Sequence, residues 1–355
     1  MTTGPLEPVV PTSPTPPVPS TARPQPLNPA APNARRRVSI VTPVFNESAT
    51  IDRFYEQLLA AMTPLADRYD FEVIFSDNAS TDDTRARIAA LRARDPRVQL
   101  LALSRNFGYQ ASMVAGMKQA SGDAIVFIDG DGEDPPALLT RFLDEWEQGH
   151  EVVYGIRERR HEPPHVSLAR KVFYRVNKSI ADSDILVDVA EFGLISAEVR
   201  DAVVVGLSTF PFIRAEVAHY GFRRIGIKYD RNPRLGGASH FNAYGMARFA
   251  IAGILTSTTV PLRMALYGLP TLVLANALLL WLEATGRWWM GFEVLVAGDL
   301  LYIATALAFV ALYTGRNYRN VVGRPVAVVD FRQSLLDLPA EQSPNKLPRM
   351  GPRRG

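Results

Sequence analysis

The sequence predicts an α/β protein: a Rossmann-like, doubly wound domain, then an amphipathic helix and a two-helix transmembrane hairpin. Three observations predict it. Between Val38 and Tyr154 short apolar runs alternate with longer amphipathic segments, the rhythm of strands and helices in a parallel sheet. Polar clusters fall directly after those apolar runs, at the strand ends where such sheets hold ligands. Further on come two long apolar stretches, Met264–Leu282 without a charge and Trp288–Tyr313 interrupted only by Glu293 and Asp299.

Residues 1–34 are Pro, Thr, Ser and Ala with almost no charge, too poor in apolar surface to offset the entropy of ordering. They are expected to be disordered, and they lack the apolar region of a secretory signal. The folded domain is expected over 35–241. Val38–Val44 reads as its first strand, and Ser48 as the N-cap of a helix running to about Tyr69. Phe71–Ser76, Val98–Leu103, Ala124–Ile128 and Glu151–Tyr154 read as four more strands. Helices are expected over about 82–94, up to Ala120, and from Pro135 to Glu147. Residues 156–235 are less regular, with a basic loop at Arg157, Arg159, Arg160 and His161 and a helix over about 166–181. From Asp188 a further short α/β stretch begins.

The formal net charge of +3 is too mild to imply a nucleic-acid partner, and none is expected. The absence of Cys excludes disulfides, zinc–thiolate sites and thiol nucleophiles. The chemistry therefore rests on oxygen and nitrogen groups. The stretch Asp123-Ala-Ile-Val-Phe-Ile-Asp-Gly-Asp-Gly-Glu-Asp-Pro-Pro136 carries an apolar strand into Asp129, Asp131, Glu133 and Asp134. Acids released at a sheet edge suit a divalent cation and a phosphate; the plainer alternative is a solvated acidic turn. Asp129, Asp131 and Glu133 are the candidate ligands, and an all-oxygen shell fits Mg²⁺ or Mn²⁺. A second loop, Tyr229 to Phe241, holds Gly236-Gly237 with Arg231, Arg234 and His240, suited to a phosphate or else an ordinary mobile surface loop.

Residues 242–262 read as an interfacial amphipathic helix and 263–314 as two membrane helices joined by a tight turn, 283–287. Arg248 and Arg263 precede the pair, Arg316, Arg319 and Arg324 follow it, and the turn holds only Arg287. That bias places both ends, and the α/β domain, on the cytoplasmic side of an inner membrane. Asp299 is costly inside a bilayer and is expected to face the other helix or a neighbouring subunit, the second of which would make the protein a homo-oligomer. The alternative is two core helices. Residues 315–355 read as a cytoplasmic tail with a short Val326–Val329 segment before a polar, disordered end.

Five motifs occur in an informative order: Pro43-Val-Phe-Asn-Glu47, Asp77-x-x-Ser80-x-Asp82, Arg105-Asn-Phe-Gly108, Asp129-x-Asp131-x-x-Asp134-Pro-Pro136 and Arg234-x-x-Gly237-x-Ser239. Over roughly 38–330 the chain resembles the family 2 inverting glycosyltransferases of GT-A fold. Within them it is similar to the polyprenyl-phosphate glycosyltransferases, relatives of dolichol-phosphate mannosyltransferase and the bactoprenol glucosyltransferases. The resemblance implies transfer of a sugar from a nucleotide-sugar such as UDP-glucose or GDP-mannose to polyprenyl phosphate, with inversion. It implies a donor site from Pro43, Glu47, Asp77, Asn78, Arg105 and Asp129, although Arg105 reads equally well as half of a structural Arg–Asp pair. It implies catalytic roles for Asp131, Glu191 and Arg234, and an acceptor-phosphate site from Arg231, Arg234, Ser239 and His240. The chain departs from the family where Asn78 replaces a second Asp and where Gly130, Gly132 and Glu133 stand in the metal motif. It departs again at Ala190-Glu191-Phe192-Gly193, usually Gly-Asp-Phe-Arg, and at His240, usually Lys. Competing readings are a membrane glycosyltransferase with a glycan or glycolipid acceptor, a phosphatase of Asp-x-Asp-Gly type, and a catalytically weak membrane scaffold.

Overall fold

The computed structural model describes residues 35–158, 189–206, 211–233, 258–287 and 291–337. The expected N-terminal tail, the helix over 166–181, most of the interfacial helix, and Arg234, Ser239 and His240 lie outside them.

One seven-stranded sheet organises the α/β domain, in the order β3-β2-β1-β4-β6-β5-β7. Its strands are β1 Arg36–Val44, β2 Tyr69–Asp77, β3 Val98–Ala102, β4 Ala124–Phe127, β5 Val152–Arg157, β6 Val189–Ser196 and β7 Arg224–Tyr229. β1 is paired on both sides and buried from Val38 to Val44, as a continuous Val/Ile-rich run in a helix-covered sheet should be. Its pairing with β4 ends at Val41↔Phe127, so Pro43, which has no N–H, lies beyond the part of the ladder that needs one on that side. The helices α1 Ile51–Met62, α2 Thr84–Arg94, α3 Tyr109–Gln119 and α4 Leu139–Glu147 alternate with these strands.

Two elements of the α/β domain differ from the sequence reading. The first helix stops at Met62, well short of Tyr69, because Pro64 opens a 3₁₀ turn, Thr63–Leu65, after which Tyr69 starts β2. The sheet is also not a run of five adjacent parallel strands. β6 lies between β4 and β5 and is antiparallel to both, whereas β5 and β7 are parallel to each other. β6 leads into α5 Ala197–Gly206, and α6 Ile213–His219 follows. Phe192 of β6 anchors this half of the sheet between Phe142 of α4, with ring centroids 4.7 Å apart, and Tyr229 of β7, edge-on at 5.7 Å.

Beyond the sheet, α7 Val260–Tyr267 and α8 Leu269–Ala284 form one apolar rod, and α9 Gly291–Val322 a second. Both rods are long and apolar enough to cross a membrane, and none of their apolar windows is buried by protein. Leu274, Trp281, Leu300, Leu301 and Leu307 are all at least half exposed, which excludes a pair of core helices. α9 continues beyond the expected end at 314, and its 32 residues span about 48 Å against a hydrocarbon core of about 30 Å. Its last turns, with Arg316 and Arg319, therefore extend past the apolar zone. Asp299 accepts a hydrogen bond from Asn276 Nδ2 of α8 (2.8 Å). The same chain supplies the partner, so Asp299 does not itself call for a neighbouring subunit. The expected tail also departs from the prediction: Val326, Ala327, Val329 and Leu336 pack on the sheet core, and Val329 and Leu335 bridge to Leu103 and Leu100.

Candidate active site

The carboxyl ends of β1, β2, β3 and β4 bring the predicted strand-end clusters to one edge. At β2, the Asp77 carboxylate is fully buried, accepts the Ser80 N–H (3.1 Å), and pairs with Arg85 Nε from α2. The turn that makes this possible holds Ala79 at φ 63°. A left-handed alanine costs about 1–2 kcal/mol, a strain placed where the chain must present Asp77. Asn46, at φ 56°, locks the β1 end to this turn: its side chain accepts the Thr81 N–H (2.8 Å), and its N–H donates to Ser80 Oγ (3.0 Å). Glu47 follows, its N–H on Thr84 Oγ1 (2.8 Å) and its carboxylate accepting from Thr50 Oγ1 (2.9 Å). Burial pushes the Asp82 carboxyl up, but hydrogen bonds from Thr84 and Ser48 outweigh it and hold it at about 2.

Asn78 has a use that an aspartate could not serve. Its Oδ1 accepts the Phe107 N–H (2.9 Å) while its Nδ2 donates to Asn106 Oδ1 (3.0 Å). An amide can do both at once; a carboxylate can only accept. Arg105, in the loop so held, stacks over the Phe107 ring at 3.8 Å and donates to the Asn106 carbonyl (3.0 Å). No ion pair to an Asp is present at Arg105 among the described contacts.

At β4 the acidic loop is held from both ends. Asp129 Oδ1 accepts the Tyr109 hydroxyl (2.6 Å). Burial first, then the charge of Asp134, pushes the Asp129 carboxyl up to about 7. Asp131 Oδ1 accepts the Glu133 N–H (3.0 Å) across Gly132, which sits at φ 75°. Gly130 faces β1, where an added Cβ would press on Thr42 and Val44 at 3.3 Å. The two glycines are thus accounted for by a left-handed turn and a close approach. Asp134 is fully buried and accepts from Arg157 Nη2 (3.1 and 3.3 Å) and from the Tyr229 hydroxyl (2.5 Å).

Glu133 departs from its expected role. Its carboxylate pairs with Arg231, and its carbonyl accepts the Asn232 N–H (2.9 Å). Arg231, expected on an acceptor phosphate, is correspondingly engaged with this acid. A guanidinium within reach neutralises Glu133, whereas convergence on Asp129 and Asp131 would crowd three like charges. Among the described residues no three acidic or histidine side chains converge as a cation site. The donor set that remains, Asp129 and Asp131, still fits a hard divalent ion. It offers carboxylate oxygens only, and the elevated Asp129 carboxyl marks a surplus of buried negative charge that a cation would relieve.

This edge can be compared with known proteins. A Glycosyl transferase family 2 model matches residues 39–201. The glycosyltransferase YkcC of Bacillus subtilis is 32% identical over 303 residues, covering 82% of this chain and 92% of the relative. The chain belongs to glycosyltransferase family 2. A prophage-derived bactoprenol glucosyl transferase of Shigella flexneri is 30% identical over 313 residues, covering 82% of this chain and 97% of the relative. Among solved structures, glucosyl-3-phosphoglycerate synthase of Mycobacterium tuberculosis, in complex with Mn²⁺, UDP and phosphoglyceric acid, is 22% identical. It covers 62% of this chain and 78% of its own, with a TM-score of 0.41.

In this glycosyltransferase β6 brings Glu191 beside the acidic loop. Its Oε1 accepts from Arg214 Nε of α6 (2.7 Å) and from Gln110 Nε2 of α3 (3.1 Å). Gln110 Oε1 in turn accepts the Ile213 N–H (3.1 Å), fixing α6 to α3. Burial first, then the charges of Asp129 and Glu191, pushes the Tyr109 phenol well above its ordinary value. Gly193 follows from packing: an added Cβ would lie 2.7 Å from the Val153 carbonyl oxygen of β5. The arginine found there in the family has no room here, and Arg214 brings a guanidinium to Glu191 from another element. The sequence reading assigned no role to Tyr109, Gln110, Arg214 or Tyr229 and put Arg157 in a basic loop, whereas it ends β5. Tyr109 and Gln110 directly follow the Arg105–Gly108 motif, a signal that could have found them. Arg157 and Tyr229 could not be found, since their partner Asp134 lies 23 and 95 residues away.

Proposed function

We infer that this glycosyltransferase moves a sugar from a nucleotide-sugar to polyprenyl phosphate at a membrane surface, with inversion at the anomeric carbon. One observation carries the reading: the acidic strand-end site belongs to the same folded unit as two exposed, membrane-length apolar rods. A soluble donor and a lipid-borne acceptor need that combination. The bactoprenol acceptor named for the Shigella flexneri relative supports the choice of lipid.

Asp129 and Asp131 would hold Mg²⁺ or Mn²⁺ in this reading, and such an ion would supply neutralisation of the leaving diphosphate. Asp77 binds the base or ribose, with Pro43, Glu47, Asn78 and Arg105 lining the same donor cleft. Glu191, oriented by Arg214 and Gln110, aligns the acceptor or a sugar hydroxyl for in-line attack. The acceptor phosphate is already ionised at neutral pH, so positioning and exclusion of water matter more than a strong base. Arg231 shifts from Glu133 to that phosphate and is joined there by Arg234, Ser239 and His240. The arginines flanking the apolar rods, with only Arg287 in the turn between them, favour the cytoplasmic side for the α/β domain. An α-linked donor then gives a β-linked lipid phosphosugar.

The test offers membranes bearing the protein a panel of radiolabelled nucleotide-sugars with Mn²⁺, with and without undecaprenyl phosphate. Label should enter the organic phase with one donor and only with the lipid added. Label recovered in water-soluble glycan, independent of added lipid, would favour the glycan-acceptor reading.

A further inference from the structure

β3 is the edge strand of the sheet, and the chain emerging from α9 covers it. The Ser104 N–H donates to the Val328 carbonyl (2.9 Å) and the Asp330 N–H to the Ala102 carbonyl (2.8 Å), while Leu100 and Leu335 exchange both bonds (3.0 and 2.8 Å). Ser334 Oγ accepts the Ala102 N–H (2.9 Å), and Asp337 pairs with Arg92 of α2 (2.5 Å). This is more than protection of an edge. Between the two bridges the strap presents Gln333, whose Nε2 is fixed on Asp330 Oδ2 (3.0 Å), leaving Oε1 to accept from Arg85 Nη1. The same guanidinium donates through Nε to the buried Asp77. Arg85 is thus a fork with one tine on the donor pocket and the other on the strap that follows the second apolar helix.

We propose that Gln333 and Arg85 are positioning residues for the donor nucleotide. The strap sets the orientation of the Asp77 carboxylate and so couples docking of the membrane hairpin to donor affinity. This rests on the reading of Asp77 as a donor-nucleotide contact. A buried carboxylate with two oxygens can turn; a guanidinium fixed at its far end stops it turning, and a ligand then binds without the cost of ordering it. Gln333 touches no reacting atom, so its effect falls on binding and leaves the chemical step intact.

The test uses the full chain in lipid nanodiscs, titrated with fluorescent mant-UDP and mant-GDP in Mn²⁺, alongside donor KM and kcat. Gln333→Ala should weaken binding of the preferred nucleotide and raise donor KM about three- to tenfold, with kcat within about twofold. Its melting temperature should stay within about 2 °C of wild type, because the lost bond is at the surface. Gln333→Glu, which keeps an acceptor for Arg85 but loses the bond to Asp330, should bind more tightly than Gln333→Ala and no more tightly than wild type. Arg85→Met should weaken binding at least as much as Gln333→Ala, and the double variant should be no worse than Arg85→Met alone, since both act along one path. Nucleotide binding and KM unchanged in Gln333→Ala, with Asp77→Ala abolishing binding, would overturn the strap proposal alone. Asp77→Ala binding as tightly as wild type, or no binding of either nucleotide by wild type, would overturn the donor-pocket reading and the strap with it.

Discussion

Arg157→Met isolates the anchor of the acidic loop. The Asp134 side chain is 1% exposed and depends on three hydrogen bonds, two of them from Arg157 and one from Tyr229. The substitution keeps an unbranched apolar chain of similar reach but leaves a buried carboxylate with the phenol and a distant Arg231 Nε at 3.9 Å. Removing one partner of a buried ion pair costs about 3–5 kcal/mol, and the surviving Tyr229 bond points to the low end, about 3 kcal/mol. Urea unfolding in detergent, followed by fluorescence of Trp146 in α4, reads the loss directly. Asp134→Asn in the same background removes the orphaned charge, so the double variant should recover about 2 kcal/mol relative to the sum of the singles. Transfer activity should fall in Arg157→Met, because Asp134 ends the loop that begins at Asp129. A loss below about 1 kcal/mol, or strict additivity in the cycle, would refute the claim that this pair holds the loop.

The remaining expectations concern strain and charge. Ala79→Gly relieves the left-handed alanine and should stabilise the domain by about 1 kcal/mol, seen as a higher urea midpoint at unchanged slope. Asp129 sets a pH dependence in metal-free protein. Its carboxyl is raised from 3.8 to about 7 in the folded state, so folded protein holds a proton that unfolded chain has released. Stability therefore falls as pH rises from about 4 to 7 and levels off above 7. The rise corresponds to at most about 4 kcal/mol, and about half that once water reaching the half-buried carboxylate is allowed for. Asp129→Asn should flatten that decline in EDTA while abolishing transfer, and added Mn²⁺ should raise the melting temperature of wild type but not of the variant.

Much of the site was legible because its residues follow strands. Apolar runs ending in Asp77, Arg105 and Asp129 locate the sheet edge without any tertiary information, and two uncharged stretches locate the membrane rods. What escaped was set by distant partners. β6 carries Glu191 and Gly193 inside an otherwise apolar run, and nothing in that pattern says it inserts antiparallel between β4 and β5. Glu133 and Arg231 each carry the charge a ligand needs, and only folding shows that they pair with each other. The strap over 326–337 shows in the sequence as the short apolar run Val326–Val329, and nothing there says that its backbone completes the β3 edge.

The central claim is transfer of sugar to a lipid phosphate by the Asp129–Asp131 site. Its most direct test incubates purified protein with its labelled donor, Mn²⁺ and undecaprenyl phosphate, comparing wild type with Asp131→Asn. Wild type should yield an organic-soluble, β-linked phosphosugar, and Asp131→Asn should lower the rate at least about a hundredfold while remaining folded. Lipid-linked product formed by Asp131→Asn at the wild-type rate, or an α-linked product from an α-linked donor, would contradict it.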